Sequence, residues 1–146
     1  MAANPIFVAT PINIGVTYNN ATSTTPTLLY TAGAAGSRID ALCAVSTDTA
    51  AHDIQLGFFI SSVFIPFGTL SIPAGAGNTS GVLPVDLLRN ITAAGVAETG
   101  ACGLFAKDPY GNSTLWLPAS GLLYVLFPVA ITSGKSIFIT GLAGNY

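Results

Sequence analysis

The stretch Arg38 to Ser61, RIDALCAVSTDTAAHDIQLGFFIS, constrains the fold more than any other part of the chain. Ile39, Ala41, Cys43 and Val45 alternate with Arg38, Asp40, Leu42 and Ala44. Further on, Ile54, Leu56, Phe58 and Ile60 alternate with Gln55, Gly57, Phe59 and Ser61. A period of two places each set on one face of a sheet. Between the two runs, Ser46-Thr47-Asp48-Thr49 has side chains that hydrogen-bond their own backbone and favour a turn. The expectation is strand, polar turn, strand, at the centre of a β-sandwich.

The flanking sequence repeats this grammar. Ile12, Ile14 and Val16 alternate with polar or small residues, and Leu28-Leu29-Tyr30 starts a short strand that Gly33–Gly36 ends. Val63–Ile72 reads as a strand returning antiparallel through the tight link Ser61-Ser62. Pro66 within it belongs at an edge or a bulge, because it donates no ladder hydrogen bond. A loop of small residues, Pro73–Gly81, follows, and Pro84–Arg89 fits one helical turn. Gly103–Ala106 suggests a short strand, Asp108-Pro109-Tyr110-Gly111-Asn112 a turn, and Leu115-Trp116-Leu117 a strand stopped by Pro118. The runs Leu122–Ile131 and Lys135–Leu142 read as a last hairpin turned at Thr132-Ser133-Gly134. No helix of about ten residues or more is patterned here, against the typical α-helical length. Short strands separated by Gly, Pro and Asn turns predict an all-β, single-domain antiparallel β-sandwich, jelly-roll-like, of about eight strands. Residues 1–26 read as an extended N-terminal arm or first short strand, and residues 27–146 as the sandwich domain.

Charge narrows the function classes. Charged residues are 7% of the 146 and the net charge is −2, where a typical soluble domain carries about 25% charged residues. Uncharged Thr, Ser and Asn must solvate the surface, or other subunits must cover part of it. Arg38, Arg89, Lys107 and Lys135 are scattered, so the clustered cations of a nucleic-acid binder are missing. Mean hydropathy is +0.65, but the longest apolar run, Leu122–Ile131, is half the roughly 20 residues that a spanning helix needs. MAANPIFVAT has neither a basic n-region nor a long apolar h-region, so no signal peptide is expected. Cys43 and Cys102 are then expected as two buried thiols rather than a disulfide.

The chemical constellations are thin. His52 is the single histidine. Asp48 and Asp53 lie near it, but a metal site needs three or four convergent ligands, and no G-x-S-x-G elbow accompanies it. The expectation is a solvated turn histidine whose replacement by Ala changes stability by no more than about 0.5 kcal/mol. Phe58→Ala should cost about 3–5 kcal/mol if that ring is fully buried. Gly134-Lys135-Ser136 ends like a P-loop, but Val129 stands where its first glycine is required. Gly75-Ala76-Gly77 begins like a dinucleotide fingerprint without the third glycine. Trp116 with Tyr110 could stack on a sugar; a lone Trp in a strand is more often core.

Three segments together carry a family resemblance: RIDALCAVSTDTAAHDIQL at 38–56, GTLSIPAGAGNTSGVLPVDLL at 68–88, and GNSTLWLPASG ahead of the terminal strand–turn–strand. About half the chain in this way resembles the small decoration (cement) proteins of tailed-bacteriophage heads. The resemblance implies a jelly-roll-like sandwich on the outer capsid surface of a virion assembled in the host cytoplasm. It would bridge and stabilise subunits, without catalytic residues, cofactor or metal. The implied partners are the major capsid protein and further copies of the chain as a dimer or trimer, with no nucleic acid and no membrane. Candidate partner contacts are Ile6, Phe7, Tyr18, Tyr110, Asn112 and Tyr146. The alternative class is a carbohydrate- or receptor-binding β-sandwich module of a phage fibre, using Asp108–Asn112 near Trp116.

Overall fold

A computed structural model describes residues 10–91 and 113–146, and the backbone of 105–107. Among the described residues, ten strands form two antiparallel sheets packed as a sandwich. The strands are β1 (Thr10–Asn19), β2 (Thr27–Thr31), β3 (Ser37–Ser46), β4 (His52–Ile60), β5 (Val63–Ile72), β6 (Val85–Asp86), β7 (Phe105–Lys107), β8 (Ser113–Leu117), β9 (Leu122–Leu126) and β10 (Ser136–Asn145). One sheet runs β1-β10-β3-β8-β7, with β6 pairing β3, and the other runs β2-β9-β4-β5. The chain crosses between the sheets at β1–β2, β2–β3, β3–β4, β5–β6, β8–β9 and β9–β10, so that β1-β10-β3-β8 faces β2-β9-β4-β5, which is the double-sheet jelly-roll arrangement. The one helix among the described residues is α1 (Leu87–Asn90). Asp86 caps it by accepting the Arg89 N–H at 2.9 Å, as an N-cap carboxylate does. No helix among the described residues is long and apolar enough to cross a membrane.

The core lies between the inner faces. Ile14, Tyr18, Ile39, Leu42, Leu115, Ile137 and Ile139 from the first sheet meet Leu29, Ile54, Leu56, Ile72, Leu123 and Val125 from the second, and all are buried. In register across the first sheet, Val16, Ile139 and Ala44 form one inward row. The β4–β5 hairpin folds as expected. It turns at Ser61 and Ser62, both in the left-handed region (φ 49° and 65°), the geometry of a two-residue primed turn. Pro66 sits on the sheet's edge strand, where the register slips between Leu56/Gly57 opposite Gly68/Pro66. A bulge on an edge is where proline is tolerated.

Four expectations are corrected. Ile39, Ala41, Cys43 and Val45 do not share one face. Opposite Leu142/Ala143 the register with β10 jumps from Ala41 to Ile39, leaving Asp40 as the extra residue. A bulge reverses the side-chain parity, so Ile39 points inward together with Leu42 and Ala44. Second, Leu122–Ile131 and Lys135–Leu142 are not a hairpin. β9 and β10 belong to opposite sheets, and the turn closed by the Lys135 N–H to the Thr132 carbonyl at 2.9 Å carries the chain across the sandwich. The polar turn after β3 crosses in the same way. Third, the sandwich begins before residue 27: of the arm and the first short strand expected within residues 1–26, the described residues hold the strand. β1 pairs with β10 over ten residues. Buried Ser23 then accepts the Phe127 N–H on its carbonyl (2.9 Å) and the Ile131 N–H on its hydroxyl (3.1 Å). Fourth, Trp116 is not core: Leu115 and Leu117 take the inner face, and Trp116 is 43% exposed on the outer one.

Candidate functional site

Three places in the fold concentrate unusual chemistry. The first is the end of the sandwich where β3 crosses to β4. Asp48 is fully buried because its turn folds inward on its own side chains. Its N–H donates to Ser46 Oγ at 3.1 Å and its Oδ1 accepts the Ala50 N–H at 3.1 Å. Oδ2 accepts both the Thr132 N–H and His52 Nε2, each at 2.8 Å. The Asp48 carbonyl accepts the Gly75 N–H at 2.7 Å. One residue therefore joins the loops after β3, β5 and β9. Burial alone would push this carboxyl up. The hydrogen bonds from Thr132, Ala50 and His52 outweigh it and hold the group well below the usual carboxylate range.

His52 is correspondingly not a solvated turn residue. Its side chain is 3% exposed, since it begins β4 on the inward face in line with Ile54 and Leu56. The ionised carboxylate can only accept, so Nε2 carries the proton, and Nδ1 is buried without a hydrogen-bond partner. The pair has the spacing of a catalytic Asp–His dyad. Its position, though, closes it to solvent, and no described hydroxyl meets Nδ1. What this geometry does is fasten loops. Among the described residues no cluster of three or more His, Cys, Asp or Glu could hold a metal ion.

The second place is the outer face of the first sheet. Trp116 stacks on Tyr146 with centroids 5.5 Å apart and planes 20° from parallel. The C-terminus is held there by a network at the opposite end of the sandwich. Tyr30 Oη donates to Asn145 Oδ1 at 2.8 Å, the Ser37 hydroxyl bonds the same oxygen, and the Tyr146 N–H reaches the Gly36 carbonyl at 3.2 Å. Burial pushes the Tyr146 hydroxyl up in pKa, with Asp40 adding to the shift and Arg38 opposing it. Trp116 lies opposite Arg38 in the ladder, and Arg38 Nε binds Asp40 Oδ1 at 2.6 Å. Continuing across this face come Leu142 opposite Ala41, Thr140 opposite Cys43, and Phe138 opposite Val45. Leu142 (53%) and Phe138 (36%) are exposed, and the Arg38–Asp40 pair is internally neutral. Cys43 is half-buried with a free thiol that burial first, and Asp86 second, pushes up; Cys102 lies outside the described residues.

The third place is the tip of the β4–β5 hairpin. β9 pairs with β4 only along Gln55–Phe58, so the hairpin runs on past its neighbour. Ile60 (53%), Val63 (59%) and Ile65 (47%) are exposed on one face. On the other, Phe59 stacks on Tyr124 at 4.9 Å and 24°, and the Phe64 ring covers Gly57, where a Cβ would also strike the Ile65 carbonyl. Phe58 is half-buried against Phe67 at 4.9 Å, so its replacement exposes less of a cavity than a fully enclosed ring would.

Of the candidate partner contacts, Tyr18 is withdrawn: it is 1% exposed, its ring packed on Phe127 at 5.3 Å. Tyr146 is half-buried in the Trp116 stack. Ile6, Phe7, Tyr110 and Asn112 lie outside the described residues, as does the Asp108–Asn112 turn. The hairpin tip escaped the sequence reading, although Phe58-Phe59-Ile60 and Val63-Phe64-Ile65 are apolar on both strand faces, the pattern of a strand covered on both sides. No family model matches the chain, and no curated protein matches it.

Proposed function

We propose that the protein is a structural virion component, a jelly-roll module that binds the outer surface of a phage capsid and bridges its subunits. The observation that carries this reading is the outer face of the first sheet, where Trp116, Phe138 and Leu142 are exposed around the self-neutralised Arg38–Asp40 pair, with Asp86 beside Cys43 as a further charge. A largely apolar face with few charges on a two-sheet scaffold suits docking on another protein, since exposed apolar patches commonly mark such contacts. The Asp48 clasp adds rigidity at one end of the scaffold. The segments resembling decoration proteins form β3, its turn and the start of β4, and the end of β5 through α1, so they include structural elements bordering this face.

The test is co-sedimentation with capsids assembled without the protein. The wild-type chain should pellet with them, and Leu142→Glu and Phe138→Glu should each reduce binding about tenfold or more, as for contact residues near the centre of an interface. Wild-type protein that stays in the supernatant overturns the reading. A second reading, carbohydrate binding, is favoured by the exposed Trp116, stacked on half-buried Tyr146 beside Asp40, since sugars stack on such rings. Capture on a glycan array that is lost in Trp116→Ala would select it.

A further inference from the structure

We infer that β1 pairs with the β1 of a second copy, antiparallel about a twofold axis at Gly15, so that the first sheet runs on from one copy into the next. This deepens the bridging role proposed above and rests on that reading only for its use on a capsid. Among the described residues each sheet has two edges, β1 and β7 in the first and β2 and β5 in the second. Three of them are blunted by devices that natural proteins use against strand addition. β5 has Pro66 and the bulge beside it, β2 is five residues long with a register slip between Leu28 and Tyr30, and β7 is three residues long. β1 is the exception. It spans ten residues, pairs with β10 without a register slip, has no charged residue, and has its one proline at the second position. Every second residue of an edge strand directs its N–H and C=O away from its neighbour. A row of such groups is matched by an extended strand, whose main chain supplies the complementary donors and acceptors.

The pattern of β1 selects which strand. Ile12, Ile14, Val16 and Tyr18 pack inward on the core. Asn13, Gly15 and Thr17 lie on the outer face, opposite Leu142, Thr140 and Phe138 of β10. Residues directly opposite in a ladder share a face, and this pattern reads alike from either side of Gly15. Antiparallel pairing on that centre sets Ile12 opposite Tyr18, Ile14 opposite Val16, Asn13 opposite Thr17, and Gly15 opposite its twin. Apolar meets apolar on the inner side and polar meets polar on the outer one. Ile12 and Val16, half-buried at the edge of one sandwich, gain cover from the second. The contact is isologous and closes at two copies. Its axis stands across the sheet, so both outer faces, with Phe138 and Leu142, come to lie on the same side.

The experiment is the molecular mass of the full chain by light scattering and sedimentation over a wide concentration range, with substitutions that read the register. The wild-type chain should reach twice 14.8 kDa. Asn13 and Thr17 are exposed. They stand about 13 Å apart along one strand and directly opposite each other only across the axis. Asn13→Asp with Thr17→Asp should weaken the dimer about tenfold or more, through two like-charge pairs. Asn13→Lys with Thr17→Asp should hold it at wild-type strength or tighter, because unlike charges then meet across the axis. Circular dichroism checks the fold of each variant; if the double-aspartate variant unfolds, Asn13→Lys with Thr17→Lys is read instead. A wild-type chain that stays monomeric overturns the inference. So does a dimer that ignores these charges, or one weakened equally by the like and unlike pairs. Capsid co-sedimentation separates the two claims. A wild-type dimer that pellets with no capsid leaves the β1 pairing and removes the capsid reading, whereas a monomeric wild-type chain that pellets leaves the capsid reading and removes the pairing.

Discussion

Replacing Asp48 should be among the most damaging single changes outside the apolar core. The carboxylate accepts three hydrogen bonds, from Thr132, Ala50 and His52. In Asp48→Ala the Thr132 and Ala50 N–H groups can turn to water, because both residues are exposed. The His52 Nε2–H cannot, and it is left as a buried donor in addition to the already bare Nδ1. A hydrogen bond to a charged group contributes about 1.5–3 kcal/mol, and stranding its buried partner adds a desolvation cost of similar size. With the two weaker backbone bonds, the loss comes to about 3–5 kcal/mol, the range for removing one partner of a buried pair. Asp48→Asn keeps the shape and one oxygen able to accept from both Thr132 and His52, and turns its amide toward the exposed Ala50 N–H; it should cost about 1–2 kcal/mol. The assay is urea denaturation at neutral pH, read from the midpoint at constant slope. pH supplies an independent check. The folded carboxyl titrates below its usual value, so the unfolded chain takes up its proton first as pH falls. The stability due to ionised Asp48 is therefore complete above about pH 4, the unfolded value, and declines as pH drops toward the folded one. The gap between wild type and D48N should narrow over that acid range. A D48A chain within about 0.5 kcal/mol of wild type, as for an ordinary surface site, would refute the clasp, as would a gap independent of acid pH.

The remaining expectations concern single groups. His52→Ala should cost about 2–4 kcal/mol, well beyond a surface substitution, because it empties a buried site and strips a bond from Asp48; a loss of a few tenths in the same denaturation assay would return His52 to the surface. Tyr18→Phe removes a buried hydroxyl without a partner and should be neutral or slightly stabilising. Since burial raises the Tyr18 pKa, its contribution is intact below about pH 10 and lost as pH rises above that. Alkaline melting should thus set in later for Y18F, and identical alkaline profiles would refute the burial argument. Ser61→Asn with Ser62→Gly should stabilise by about 1 kcal/mol, because these residues accept positive φ more readily than serine; an unchanged or lower melting temperature at low protein concentration would contradict the turn geometry.

Much of this protein was legible in the chain, and the legible parts share a physical cause. Period-two alternation along Ile54, Leu56 and Phe58, the Ser61-Ser62 link, the misfit of Pro66 in a ladder and the helical turn expected over Pro84–Arg89 and found at Leu87–Asn90 all depend on residues within a few positions of each other. Backbone sterics and local hydrogen bonding decide them, so they survive whatever surrounds them. The all-β class follows from adding such segments together.

What only the tertiary structure decided depends on partners distant in sequence. The bulge at Asp40 arises from pairing with Leu142 and Ala143, and it moves Leu42 inward and Cys43 outward against the simple alternation. Whether a short turn closes a hairpin or crosses between sheets is not written in turn residues, which serve both; the neighbours of β3 and β10 settle it. His52 looks like a surface histidine until Thr132, 84 residues from Asp48, closes the clasp. Trp116 faces outward because Leu115 and Leu117 claim the core, and the hairpin tip stands clear because β9 stops pairing at Phe58. Strand identity is a local property of side-chain sterics, whereas face, burial and exposure belong to the packing of whole sheets, which no single stretch of this sequence contains.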